Sequence, residues 1–95
     1  MSPRIEKLRD AVELANNCKA THVRSVPFKE TFRGQTVWEG VVEVFDLSGH
    51  PRAKCCYAWS YHDGRETQFT TVLEIPPVKD VPTAVRASIM ARTAR

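Results

Sequence analysis

The stretch AKCCYAWSYHDG, residues 53–64, gathers the most reactive side chains of the sequence: the adjacent thiols Cys55 and Cys56, the rings of Tyr57, Trp59 and Tyr61, and the imidazole of His62. Such a set raises metal ligation, thiol chemistry and acid–base work. Zinc takes thiolates and imidazoles, but its cysteines are spaced by two to four residues in a turn, so that the sulfurs converge. Neighbours on an extended strand point to opposite faces, so Cys55 and Cys56 do not easily share an ion. His62 stands six positions beyond Cys56, about 20 Å along a strand at ~3.3 Å per residue. A cysteine nucleophile needs an adjacent base and an oxyanion site, and no spacing brings His22 or His62 to a thiol. The thiols therefore read as small buried hydrophobes on either face. No metal and no cofactor are expected.

A second group is more open. Glu39 and Glu43 alternate on one strand face, with Ser60 and His62 expected on the same side. Placed in a desolvated cup between a sheet and a helix, a carboxylate and an imidazole can do acid–base work. Charges at a sheet rim more commonly face water. These four side chains define a candidate small-molecule pocket, as binder or enzyme. His50 reads as a solvated turn residue.

The elements that must position these groups follow from periodicity. Ser2 is a suitable N-cap with Pro3 at the first helical position. Ile5, Leu8, Val12 and Ala15 then recur at helical spacing, and Asn16-Asn17 is a stop. Strands follow at residues 21–32, 36–47, 53–61 and 67–75. Pro27 marks the first as an edge strand or bulge, because proline cannot donate to a ladder. Pro76-Pro77 ends the sheet, and a last helix is predicted from Val81 or Pro82 to about Thr93. The order is α-β-β-β-β-α, an α+β fold with a four-stranded antiparallel meander. Its 95 residues suit a single domain, 1–95.

Taking Gly49-His50 and Asp63-Gly64 as two-residue loops predicts Val42 opposite Tyr57, Gly40 opposite Trp59 and Tyr57 opposite Thr70. One face then carries Trp38, Val42, Tyr57, Trp59 and Tyr61. The other carries Cys56, Ala58, Phe69 and Leu73 with Glu39, Glu43 and His62. Two short helices most economically cover one face, and the small Cys56 and Ala58 make room for them there. The aromatic face is then expected to need a second subunit, a protein partner or a ligand, unless the sheet curls so that its concave side takes a helix. A small non-enzymatic binding or assembly protein, a homodimer through that face, is the leading expectation, and the pocket the alternative.

Composition bounds the remaining classes. Hydrophobic residues make up 42% and charged residues 26%, ordinary for a globular chain. Three cysteines without framework spacing suit a reducing cytoplasm. The charged start MSPRIEKLRD lacks the apolar run of a signal peptide, and no run approaches the ~20 residues of a membrane span. Basic residues such as Arg24, Lys29, Arg33, Arg52, Lys54 and Arg65, with Arg86, Arg92 and Arg95 in the last segment, are interleaved with Glu30, Glu39, Glu43, Glu66 and Glu74. At a net charge of +3, single-stranded nucleic-acid binding is a third and lesser reading.

The helix followed by four meander strands resembles the cystatin-like architecture, which implies a curled sheet gripping a helix. The α-β-β-β-α part of the order resembles the double-stranded RNA-binding domain. That family carries a lysine-rich motif at the start of its last helix, where this chain has KDVPTAVRAS, and it has one strand fewer. Neither likeness assigns an activity.

Overall fold

The computed structural model describes residues 2–93. The elements are α1 (Pro3–Asn16), β1 (Lys19–Phe32), β2 (Gln35–Ser48), β3 (Cys55–Asp63), β4 (Glu66–Leu73) and α2 (Val81–Thr93). The strands form one antiparallel sheet in the order β1-β2-β3-β4, the meander expected from the sequence.

Local chemistry sets the helix ends. Ser2 Oγ accepts the Ile5 N–H at 3.3 Å and opens α1. Asn17 closes it in the left-handed region, at φ 51°, which asparagine tolerates better than most residues. At the start of α2, Asp80 Oδ1 accepts the Thr83 N–H at 3.0 Å, while Thr83 Oγ1 accepts the Asp80 N–H at 3.0 Å. Each side chain thereby satisfies a backbone donor that the first turn leaves unpaired.

The helices lie on opposite faces, which corrects the expectation that both would cover one. Leu8 and Val12 of α1 pack on Ala20, Phe45, Cys56 and Ala58. Val81, Ala84 and Val85 of α2 pack on Val42, Val44, Tyr57 and Trp59. Each face carries its own apolar stripe, and one helix per face removes both from water; stacking two helices on one side would leave the aromatic stripe wet. The sheet stays open, consistent with the curled sheet expected, with α1 on one side and α2 on the other.

The expected register is corrected at both turns. Tyr57 pairs with Val44 and with Val72, so each ladder is displaced by two residues. A shift of two leaves every side chain on its predicted face; a shift of one would have exchanged the faces. The displacement originates in the connections. Residues 49–54 link β2 to β3, and His50 braces them: its Nδ1 accepts the N–H of Arg52 at 3.1 Å and of Ala53 at 2.9 Å. His50 thus organises the loop, beyond the simple turn position expected for it. The β3–β4 turn is built on Gly64, at φ 66°, and Arg65, flanked by the pair Asp63–Glu66.

The sheet is not uniform. β1 and β2 pair from Lys19–Ser48 out to Phe32–Gln35, whereas the β2–β3 ladder spans only residues 43–46 with 55–58. The β1–β2 hairpin therefore projects as an arm past the shared sheet. β1 is an edge strand, which accommodates Pro27. On the α2 side the indoles of Trp38 and Trp59 meet edge to face, 5.3 Å apart at 72°. The indole of Trp38, on the same strand, lies against Gly40, where an added Cβ would sit 3.1 Å from it.

Tyr57 shows how the chain after β4 is tied down. Its hydroxyl donates to Glu74 Oε2. Burial, followed by this hydrogen bond, raises its pKa far above the ordinary phenol value, so the donor role is permanent. Tyr57→Phe is expected to cost about 1 kcal/mol, read as a lower denaturant midpoint, because it removes one hydrogen bond and leaves Glu74 a path to water.

Candidate functional site

The five residues expected to form a binding face are brought together, but as core. Val42, Tyr57 and Trp59 are 0, 2 and 3% exposed beneath α2. Trp38 and Tyr61 are partly buried and pack against the same cluster. The cover expected from a second subunit is thus supplied by the chain's own last helix.

Leu14, Val23, Val41 and Phe69 are exposed at separate places, whereas three other exposed apolar side chains converge where the end of the arm meets α2. Phe32 is 63% exposed, Val37 49% and Met90 68%. With Ile89 they wall a cleft of about 420 Å³ between the arm and α2. Val37 owes its position to an irregularity in the ladder: Glu30 pairs with Trp38 and Thr31 with Thr36, leaving Val37 without an opposite residue. At the rim, Arg86 Nε donates to Glu30 Oε2 at 2.9 Å. The sequence showed the turn at residues 33–35 but not this cleft, because Phe32 and Val37 converge with Met90 only once α2 crosses the arm.

The four candidate pocket residues separate into three places. Glu39 is exposed on the arm and lines a shallow hollow with Pro27, Lys29 and Val41. Glu43 is fully buried. Its carboxylate accepts from Arg4 Nη2 at 2.9 Å, from His22 Nε2 at 2.8 Å and from Ser25 Oγ. A carboxylate only accepts, so the His22 Nε2 proton faces it. Burial, the largest single effect, pushes the Glu43 pKa up. The hydrogen bonds from Ser25, His22 and Arg4, together with the Arg4 charge, outweigh burial and hold the pKa below its ordinary value. Glu43 is therefore an ionised strut between α1, β1 and β2. Its partners were not legible in the sequence, since the irregularity between His22 and Arg24 decides which β1 side chains reach it.

Ser60 and His62 occupy the third place, a groove of about 470 Å³ at the N-terminal end of α1, where they are joined by Arg4, Lys7, Thr67 and Phe69. The centre of the expected cup is filled by Leu8 and Val12 with Ile5 beside them, so only its outer end is open.

The cysteines divide as strand alternation requires, Cys55 against the α2-side core and Cys56 within the α1-side core. Burial pushes the Cys56 thiol up to about 12. Burial, with the nearby Glu74 and Asp46 charges, also raises Cys55. Both therefore stay protonated at neutral pH, the unreactive form. Among the described residues no three His, Cys, Asp or Glu side chains come together as metal ligands.

Several arginines are engaged by acids, as the interleaving in the sequence suggested: Arg4 with Glu43, Arg86 with Glu30 and Arg9 with Asp10. Of the other basic residues, Arg95 lies outside the described residues, and the side chain of Arg92 is likewise not described. No helix among the described residues is long and apolar enough to cross a membrane. In comparisons with protein-family models, with curated proteins and with solved structures, no match to this chain is found.

Proposed function

We propose that the protein is a small non-enzymatic assembly module that forms a homodimer through the apolar cleft between the arm and α2. The observation that carries this reading is the convergence of Phe32, Val37 and Met90, each about half exposed or more, on one cleft. Single exposed apolar residues are ordinary, whereas a contiguous apolar cleft marks an interaction surface. In a two-fold pair the Phe32 ring of one protomer enters the cleft of the other, and the reverse, so one patch serves both sides. The projecting arm adds strand edge for main-chain pairing. Cys18, Cys55 and Cys56 are all free thiols, which suits a reducing compartment such as the cytoplasm.

Size-exclusion chromatography with light scattering tests the reading. The unaltered protein is expected to run with the mass of two chains. Phe32→Glu, on an exposed site, is expected to give the mass of one chain with an unchanged circular-dichroism spectrum. A one-chain mass for the unaltered protein across the micromolar range would dismiss the assembly.

A further inference from the structure

The groove at the N-terminal end of α1 lies on the face of the sheet opposite the arm cleft, so it is independent of the assembly surface. Its floor is set by strand register. Ser60 pairs with Phe69 and His62 with Thr67, so these side chains form a two-by-two patch facing the α1 side. Arg4 and Lys7, three residues apart and so on one face of the helix, line it from above. Arg4 commits Nη2 to Glu43 at 2.9 Å, and a guanidinium carries five N–H donors, so others remain. Among the described residues no carboxylate lies within ion-pair distance of Lys7. Glu6 and Asp10, on the same helix, do not line the groove. Glu43, behind Arg4, is already compensated by Arg4, His22 and Ser25.

The groove thus presents two cations, two hydroxyls and an imidazole around a hollow of about 470 Å³ with a partly exposed phenyl ring in its floor. The cations sit near the positive end of the α1 dipole, a cost that a bound anion removes. We infer that this groove binds a small organic phosphate. Lys7 and Arg4 neutralise the phosphate, Ser60 and Thr67 donate to its oxygens, and a flat apolar body rests on Phe69. A phosphate fits better than a carboxylate because it brings a second charge and a third oxygen to match two cations and several donors. The volume falls in the range of small-molecule sites, roughly 300–1,000 Å³, and suits a ligand of mononucleotide size.

Backbone amide shifts in the full chain test the inference, with adenosine monophosphate, adenosine and inorganic phosphate as probes. The monophosphate is expected to move the amides of residues 3–7, 60–62 and 67–69 and to saturate in the millimolar range or tighter. Adenosine should give no saturation, and inorganic phosphate should bind more weakly at the same amides. Lys7→Gln, on an exposed helix position, should raise the dissociation constant about tenfold. Phe69→Ala should weaken the monophosphate while leaving inorganic phosphate unchanged. Phe32→Glu should leave all of these affinities alone, which separates this site from the dimer. The inference is overturned if neither phosphate saturates, if the shifts fall outside those segments, or if Lys7→Gln binds as the parent does. Equal affinity for inorganic phosphate and the monophosphate would also overturn it, by removing the organic part of the ligand. An oligonucleotide whose affinity grows with its length would replace it with a polymer site.

Discussion

Trp59→Ala is expected to lower the free energy of unfolding by about 3–5 kcal/mol, the range for deleting a buried aromatic side chain. A domain of this size is stable by roughly 5–15 kcal/mol in total, so the loss is a large share of what holds the chain folded. The reason is position. Trp59 is 3% exposed, lies in the cluster that Val81, Ala84 and Val85 complete from α2, and meets Trp38 edge to face where the two hairpins part. Removing the indole opens a cavity under the helix and takes away the ring that bridges the split. Chemical denaturation followed by circular dichroism checks this. A loss below about 1 kcal/mol would mean that α2 does not rest on Trp59.

Glu43→Gln is expected to cost about 2–4 kcal/mol at neutral pH and to remove part of the protein's acid sensitivity. The side chain keeps its shape but loses the charge, and its NH₂ group meets donors in place of an acceptor. The Arg4 contribution is discounted, because that side chain is half exposed and water screens it. Most of the cost therefore falls on His22 and Ser25. The pH dependence follows from the lowered pKa. Held below its ordinary value of 4.5 in the folded chain, Glu43 adds stability that is fully present above that value. This stability is lost as the pH falls through the folded-state pKa. Denaturation curves taken across the acid range should show the unaltered protein losing stability there, while Glu43→Gln changes less and converges on it. Equal stability at neutral pH, or parallel acid profiles, would contradict the strut role.

Trp59 and Glu43 owe their places to different levels of organisation. That Trp59 shares a face with Tyr57 and Val42 was legible from strand alternation, and an error of two residues in each turn did not disturb it. The α1 cap at Ser2, its stop at Asn17 and the start of α2 at Val81 were legible too, because the chemistry of helix ends is local. The division of Cys55 and Cys56 between faces has the same origin. None of these depends on how the elements pack.

Glu43 was visible in the sequence as one of four candidate pocket residues on a strand face turned toward a helix. Its burial, and its engagement by Arg4 and His22 from segments 39 and 21 residues away, required the ladder irregularity in β1 and the seat of α1. The same holds for the groove and for the arm cleft. Arg4 and Lys7 line one groove with Ser60 and His62, and Phe32 lines one cleft with Met90, an arrangement that no local pattern encodes. Backbone periodicity and capping chemistry act over a few residues, and they are enough to set the elements, their order and the face each strand residue takes. That α2 takes the aromatic face and α1 the other is settled by packing. That choice is made by which packing removes more apolar surface from water, a property of the whole chain. It placed the aromatic stripe in the core and left the arm cleft and the groove beside α1 exposed.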